Sequence, residues 1–235
     1  MTSCPKPNHN ESGNILVYIM GAILLLGLLV IVSKGSNSPG AGIDQETLAI
    51  RVSEVQSYGQ ELERAVAYVL ANGHSETDIR FAHPDAASAY GDITDDPTRQ
   101  IFSREGGAAT YRQPPEGIQT TVTPWIFTGN NVVNGLGTTG TNNSNVDLVA
   151  LLMNVSKDFC IKINDLNNIE NPAGTPPQDQ NNVSYSNPFI GSYSRINHII
   201  DTGGIYFEGK AEGCFQGGGD PPVGTYHYYR VLLPR

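Results

Sequence analysis

ILVYIMGAILLLGLLVIV, residues 15–32, is a run of 18 residues without a charge or a proline. At 1.5 Å of helical rise per residue it reaches about 27 Å, close to the hydrocarbon depth of a bilayer. The run therefore reads as a transmembrane helix. A removable secretory signal ends its apolar stretch in small residues of the Ala-x-Ala kind, whereas this one ends Val30-Ile31-Val32-Ser33-Lys34-Gly35, so retention in a membrane is expected. Before the run stands a short polar leader, MTSCPKPNHNESGN; after it come SKGSNSPGAG and then a polar region extending to Arg235.

Composition bounds what that region does. Residues 43–235 lie within the range of one hydrophobic core, so a single domain is expected. Lys and Arg number 14 against 23 Asp and Glu, a net charge of −9. An acidic head weighs against nucleic acid as a partner and against electrostatic adhesion to anionic lipid. Of the three cysteines, Cys4 lies in the leader and leaves Cys160 and Cys214 in the head. An even pair in an exported domain reads as a disulfide contributing about 2–4 kcal/mol; two buried thiols are the alternative.

Glycine, serine and Pro39 make residues 34–42 a linker. An amphipathic helix then runs from Asp44 to about Asn72. Leu48, Val52, Val55, Gly59, Leu62, Val66 and Val69 recur at steps of four and three, with Ile50, Tyr58 and Leu70 widening the stripe, and the Asn72-Gly73 pair supplies a left-handed stop. Alternation predicts a strand over 79–83 and a hairpin over 100–112 turning at Gly106-Gly107. Residues 122–128, VTPWIFT, form a further strand with Trp125 and Phe127 in the core; 129–145 read as loop. Asn145 is expected to cap a second helix over 146–166, whose face carries Leu148, Leu151, Leu152, Val155, Phe159 and Ile163 beside Cys160. Residues 167–188 read as a mobile loop or contact surface, 205–216 as a bent strand or hairpin, and 225–235 as a central strand. In that last strand Tyr226, Tyr228 and Arg230 face one side and His227, Tyr229 and Val231 the other, one of the two sides expected under a helix and the other partly solvent-exposed. The fold class is α+β: an amphipathic helix on an antiparallel sheet, with a second helix.

A polar leader ending in Gly13, an apolar helix directly behind it and an amphipathic helix after that resemble the type IV pilins and the pseudopilins of type II secretion. The resemblance implies a leader over 1–13, cleavage after Gly13 and methylation of Asn14 by a prepilin peptidase, and a transmembrane and assembly helix over 14–33. It also implies homo- or hetero-oligomeric pilin partners and a bacterial inner-membrane location, with the head in the periplasm until the subunit enters an extracellular filament. One position departs: where the major pilins carry a glutamate, five residues past the cut, this chain has Tyr18. That change favours a minor, tip or atypical subunit. The alternative is a single-pass, membrane-anchored periplasmic binding or adhesion domain that does not polymerise.

Catalytic motifs are lacking. There is no G-x-S-x-G elbow, no H-E-x-x-H and no Walker loop, and Gly135-Leu136-Gly137 lacks the third glycine and the acidic ribose partner of a dinucleotide fold. His74, His83, His198 and His227 have no ligand partner at metal spacing. The acidic group Asp92, Asp95 and Asp96 has the oxygen density that calcium prefers, but reads first as a solvated turn. The expectation is a non-enzymatic protein with no cofactor and no metal.

Overall fold

The computed structural model describes residues 18–25, 45–138, 145–194, 199–200 and 206–235. The chain divides into two compact units, Met1–Gly42 and Ile43–Arg235. In the first, residues 18–25 are helical and exposed throughout. The rest of the expected transmembrane helix, the 1–13 leader and the 34–42 linker lie outside the described residues. Among the described residues no helix is long and apolar enough to cross a membrane.

The second unit is α+β. Its elements are α1 (Gln45–Ala71), β1 (Ile126–Val133), β2 (Asp147–Val155), α2 (Lys157–Leu166), β3 (Ile199–Ile200), β4 (Glu212–Gln216) and β5 (Tyr226–Leu233). The strands lie in the order β3-β1-β2-β5-β4. The last four are antiparallel neighbours, and two-residue β3 pairs parallel with Val132 and Val133 of β1.

Helix α1 forms where the 3.6-residue spacing places it. Leu48, Val52, Val55, Tyr58, Gly59, Leu62, Ala65, Val66 and Val69 are buried against one sheet face, where they meet Phe127, Leu148, Ala150, Leu152, Tyr228 and Leu232. Ile50 departs from the expected stripe and is 59% exposed, because its position in the helical repeat turns it away from the sheet.

The main correction concerns residues 146–156. Asp147–Val155 form strand β2, not the first half of a second helix. β2 lies between β1 and β5, and all but Asn154 of its residues are buried. A strand covered on both faces must be apolar at every position, so it shows no two-residue alternation and fits a helical template by default. Asn154 takes φ 55° where the β2–β5 register shifts between Leu152 and Val155. Ser156 then caps α2, its hydroxyl accepting from the Phe159 N–H.

Other expectations change for related reasons. Residues 79–83 are not a strand: Arg80 makes an isolated bridge to Gln100, and Ile79, Phe81 and Ala82 are all fully buried. Residues 100–112 are successive turns rather than a hairpin, since Gly106 and Gly107 pack directly on the backbone of Gln100 and Ile101. β1 runs on through Gly129–Val133, which had read as loop, because Asn131 is satisfied inside the fold by Ser184. The 167–188 segment is a packed cover: Ile169 and Val183, with Phe207, close the second sheet face over Val149, Leu151, Met153, Phe215, Tyr229 and Val231. The second face of β5 is therefore buried, not solvent-exposed. Among the described residues of the 205–216 stretch, Glu212–Gln216 alone are strand.

Both long sides of the sheet have their backbone groups occupied. Tyr90 Oη accepts from Phe127 N at 2.8 Å and donates to Phe127 O at 3.3 Å. Phe189 N and Ser194 N donate to Phe127 O and Gly129 O. On the far side, Gln216 N donates to Pro177 O and Asp179 N to Gln216 O.

Candidate functional site

Gly13 and Asn14, the expected processing junction, lie outside the described residues. The described part of the apolar run presents Tyr18, Ile19, Met20, Ile23, Leu24 and Leu25, all more than half exposed. Tyr18, at the position where the resemblance expects a carboxylate, is 72% exposed. A Cβ added to Gly21 would meet nothing within 4 Å. Large side chains displayed along a helix without a cover are unstable in water and call for lipid or protein around them.

Two devices fasten the head. Cys160, in the first turn of α2, is joined to Cys214 of β4 with Cα atoms 5.1 Å apart; both are fully buried. Asn164 of α2 completes the clamp, its amide donating to Cys214 O and accepting from Cys214 N, each at 2.9 Å. The second device is a polar group beneath α1. Glu212 accepts from Tyr228 Oη at 2.7 Å, Gln56 Nε2 at 3.1 Å and Arg230 Nη1 at 3.3 Å, while Arg230 Nη2 reaches Glu63 at 2.7 Å. Arg230 crosses α1 at Gly59, where an added Cβ would stand 2.3 Å from Arg230 Cδ. The glycine in the helical stripe marks this crossing, and sequence reasoning missed the arginine that requires it.

Several groups have the composition of a reactive site, and the geometry decides each. Thr225 Oγ1 lies 2.7 Å from His227 Nε2, the spacing of a nucleophile and its base. However, His227 Nδ1 accepts from Asn154 N at 3.3 Å and the threonine hydroxyl donates to Pro222 O at 2.5 Å. The imidazole proton therefore sits on Nε2 and points at the hydroxyl, the reverse of base catalysis. Burial drives the His227 pKa down to about 4. His83 is stacked on Tyr111 at 4.5 Å and accepts from Asp85 N. His74 is half-buried and His198 lies outside the described residues.

Asp92, Asp95 and Asp96 do not converge as a cation site. Asp96 pairs with Arg99 Nε at 2.7 Å, and Asp92 accepts from the Thr94 N–H and hydroxyl, which hold its pKa below the usual carboxylate range. Among the described residues no group of three His, Cys, Asp or Glu is placed to hold a metal. The three carboxylates instead line a polar cleft of about 470 Å³ together with Arg80, Arg99 and Ile190. Gln100 braces its wall by donating to Asp92 O and Asp95 O.

One buried carboxylate escaped the sequence reading. Asp147, at the start of β2, accepts from Val133 N at 2.8 Å and Arg235 N at 3.1 Å. Burial raises its pKa to about 6, against the lowering effect of those hydrogen bonds. Arg235 lies over the Tyr193 ring at 3.8 Å and pairs with Glu76. A charged residue heading an otherwise apolar run was the available signal.

No family model, curated protein or solved structure matches the chain.

Proposed function

We propose that this protein is a structural subunit, minor or atypical, of a type IV pilus-like filament or pseudopilus, assembled through its apolar N-terminal segment. The observation that carries the reading is the helix over 18–25, whose large side chains are all exposed within an 18-residue run free of charge. The head supports it: an amphipathic helix packs on an antiparallel sheet, and a disulfide and a buried polar group hold the elements together. In the membrane the apolar segment is covered by lipid; in a filament the same segments of neighbouring subunits replace that cover. Hydrogen-bonded and apolar groups dominate the head interior, as suits a part that must keep its shape while its surroundings change.

The polar cleft beside Asp92 and Arg99 favours a second reading, a membrane-anchored periplasmic binding domain that does not polymerise. Intact mass and N-terminal sequence of protein recovered from bacterial membranes or sheared filaments separate the two. A chain beginning at Asn14 is expected for the filament subunit. One beginning at Met1 or Thr2 overturns that reading and leaves the anchored domain.

A further inference from the structure

Among the described residues every arginine but two has its guanidinium engaged by a carboxylate or a carbonyl. The two are Arg64 and Arg104, both exposed, and the fold sets them side by side. Gly107 lies against α1, where an added Cβ would stand 2.9 Å from the Ala65 Cβ, and this close approach brings the 103–109 turn alongside the helix. Arg64 and Tyr68 are one turn apart on the outward face of α1, and with Arg104 they line a depression of about 280 Å³. Tyr68 is 54% exposed. Glu61, in the same depression, is already occupied by Arg112 Nη2 and Thr110 N. A basic patch with an exposed aromatic side chain thus stands on a chain whose net charge is −9.

The polar cleft lined by Asp92, Asp95 and Ile190 has the opposite composition. Asp92 and Asp95 are exposed and form no ion pair among the described residues, and Ile190 is 54% exposed. The cations of the cleft are committed elsewhere. Arg99 pairs with Asp96 and Asp78, and Arg80 Nη1 donates to Thr77 O and Ile79 O. Each surface therefore joins two like, unpaired charges to one large exposed apolar side chain, and the signs of the two surfaces are opposite.

We infer that the patch of Arg64, Arg104 and Tyr68 docks on the cleft of Asp92, Asp95 and Ile190 in a second copy of this chain. Charge complementarity names the occupant: the patch calls for an acidic partner, and the chain itself carries the matching surface. Guanidinium groups meeting carboxylates there form charge-assisted hydrogen bonds. A two-fold contact of the patch with itself is disfavoured, since it sets arginines against arginines. The contact is therefore heterologous, and the same two surfaces, repeated from copy to copy, build a ring or an open row. Ion pairs between exposed side chains are individually weak and screened by salt, so the association is reversible and falls as ionic strength rises. The contact belongs to the head alone and rests neither on cleavage after Gly13 nor on the apolar segment.

The test uses the full chain in detergent micelles at low salt, with Cys4→Ser so that the introduced thiols are the only free ones beside the Cys160–Cys214 disulfide. One population carries Ala67→Cys, next to the arginine patch, and a second, differently tagged, carries Ala89→Cys in the wall of the cleft; both positions are exposed. A short bismaleimide reagent reads which surfaces meet. The expected result is a 67–89 cross-link several-fold above the 67–67 and 89–89 products, lost at high salt. Arg64→Glu in the first population, or Asp95→Arg in the second, should lower the 67–89 yield several-fold, and the two together should restore it. Neither side chain has a partner within its own head, so these reversals leave the fold intact. Dominance of the 67–67 product, equal yields of all three products, or a 67–89 yield that ignores the single reversals overturns the inference. So does failure of the doubly reversed pair to recover. None of these outcomes touches the filament reading, which the N-terminal sequence decides.

Discussion

Replacing Gly59 by alanine should destabilise the head, although alanine is the better helix former. The intrinsic preference favours the substitution by about 1 kcal/mol. Against it stands Arg230 Cδ, 2.3 Å from the new Cβ, with Nε at 3.0 Å. The arginine side chain is only 12% exposed, and Cδ is not its free end, so the whole guanidinium must leave its path. It then gives up Glu212, which is buried, and Glu63. Removing one partner of a buried pair costs about 3–5 kcal/mol. Glu212 keeps Tyr228 and Gln56 as donors, which favours the lower end of that range. The net expectation is a loss of about 2 kcal/mol, the difference between these opposing terms. In an Arg230→Ala background the obstruction is gone, and Gly59→Ala should stabilise by up to about 1 kcal/mol. Urea unfolding of the four proteins of this cycle, followed by circular dichroism, reads the coupling directly. If Gly59→Ala stabilises equally in both backgrounds, Arg230 does not cross the helix at Gly59 and the account of the polar group fails.

Two buried titrating groups should act on stability in opposite directions. For His227 the native pKa of about 4 lies below its ordinary 6.5, so the unfolded chain takes the proton first. Stability falls as pH drops from 6.5 toward 4, by about 3 kcal/mol in full. For Asp147 the native pKa of about 6 lies above its ordinary value, so the folded chain holds the proton longer. Stability falls as pH rises from 3.8 through 6, again by about 3 kcal/mol. Between pH 4 and 6 the two slopes cancel. His227→Gln alone should therefore lose stability as pH rises across that window and Asp147→Asn alone should gain it; matching slopes in denaturant midpoints would contradict both assignments. Tyr90→Phe deletes the hydroxyl that serves Phe127 N and O and should cost about 1–3 kcal/mol, with faster hydrogen exchange at the Phe127 amide. Unchanged exchange there would show that the tyrosine does not hold this strand.

The sequence made helix α1 readable because one of its faces is buried and the other wet, which is the condition that produces a 3.6-residue pattern. Gly59 was visible in that pattern as an anomaly, but its cause, Arg230, lies far along the chain and joins it only in the folded state. Cys160 and Cys214 could be paired by counting alone. Strand β2 was not readable for the opposite reason to α1. Leu148 to Val155 is covered on both faces, and a residue run that is apolar throughout carries no period to read. The Ser156 cap was present in the sequence but was absorbed into the longer apparent helix. Residues 74–115 resisted because they form turns and short 3-10 segments around buried Phe81, Ile101 and Phe102, held by the Gln100 side chain and by scattered backbone bonds such as those between Arg80 and Arg99 and Ile101, rather than by any repeating ladder. The Asp147 and Glu212 groups assemble from distant segments, so no spacing announces them.

The occupied backbone along the first half of β1 and along β4 bears on how copies of this head tolerate crowding. A bare strand offers a row of donors and acceptors on which another chain can extend the same sheet, the route to aggregation that edge strands must guard against. Here a tyrosine hydroxyl and the amides of Phe189 and Ser194 stand on one side, and the backbone of Pro177 and Asp179 on the other. If the head packs into the filament proposed above, neighbouring copies would press against one another without merging their sheets. In the proposed filament, association would then be left to other surfaces of the head, as the proposed passage from membrane to filament requires.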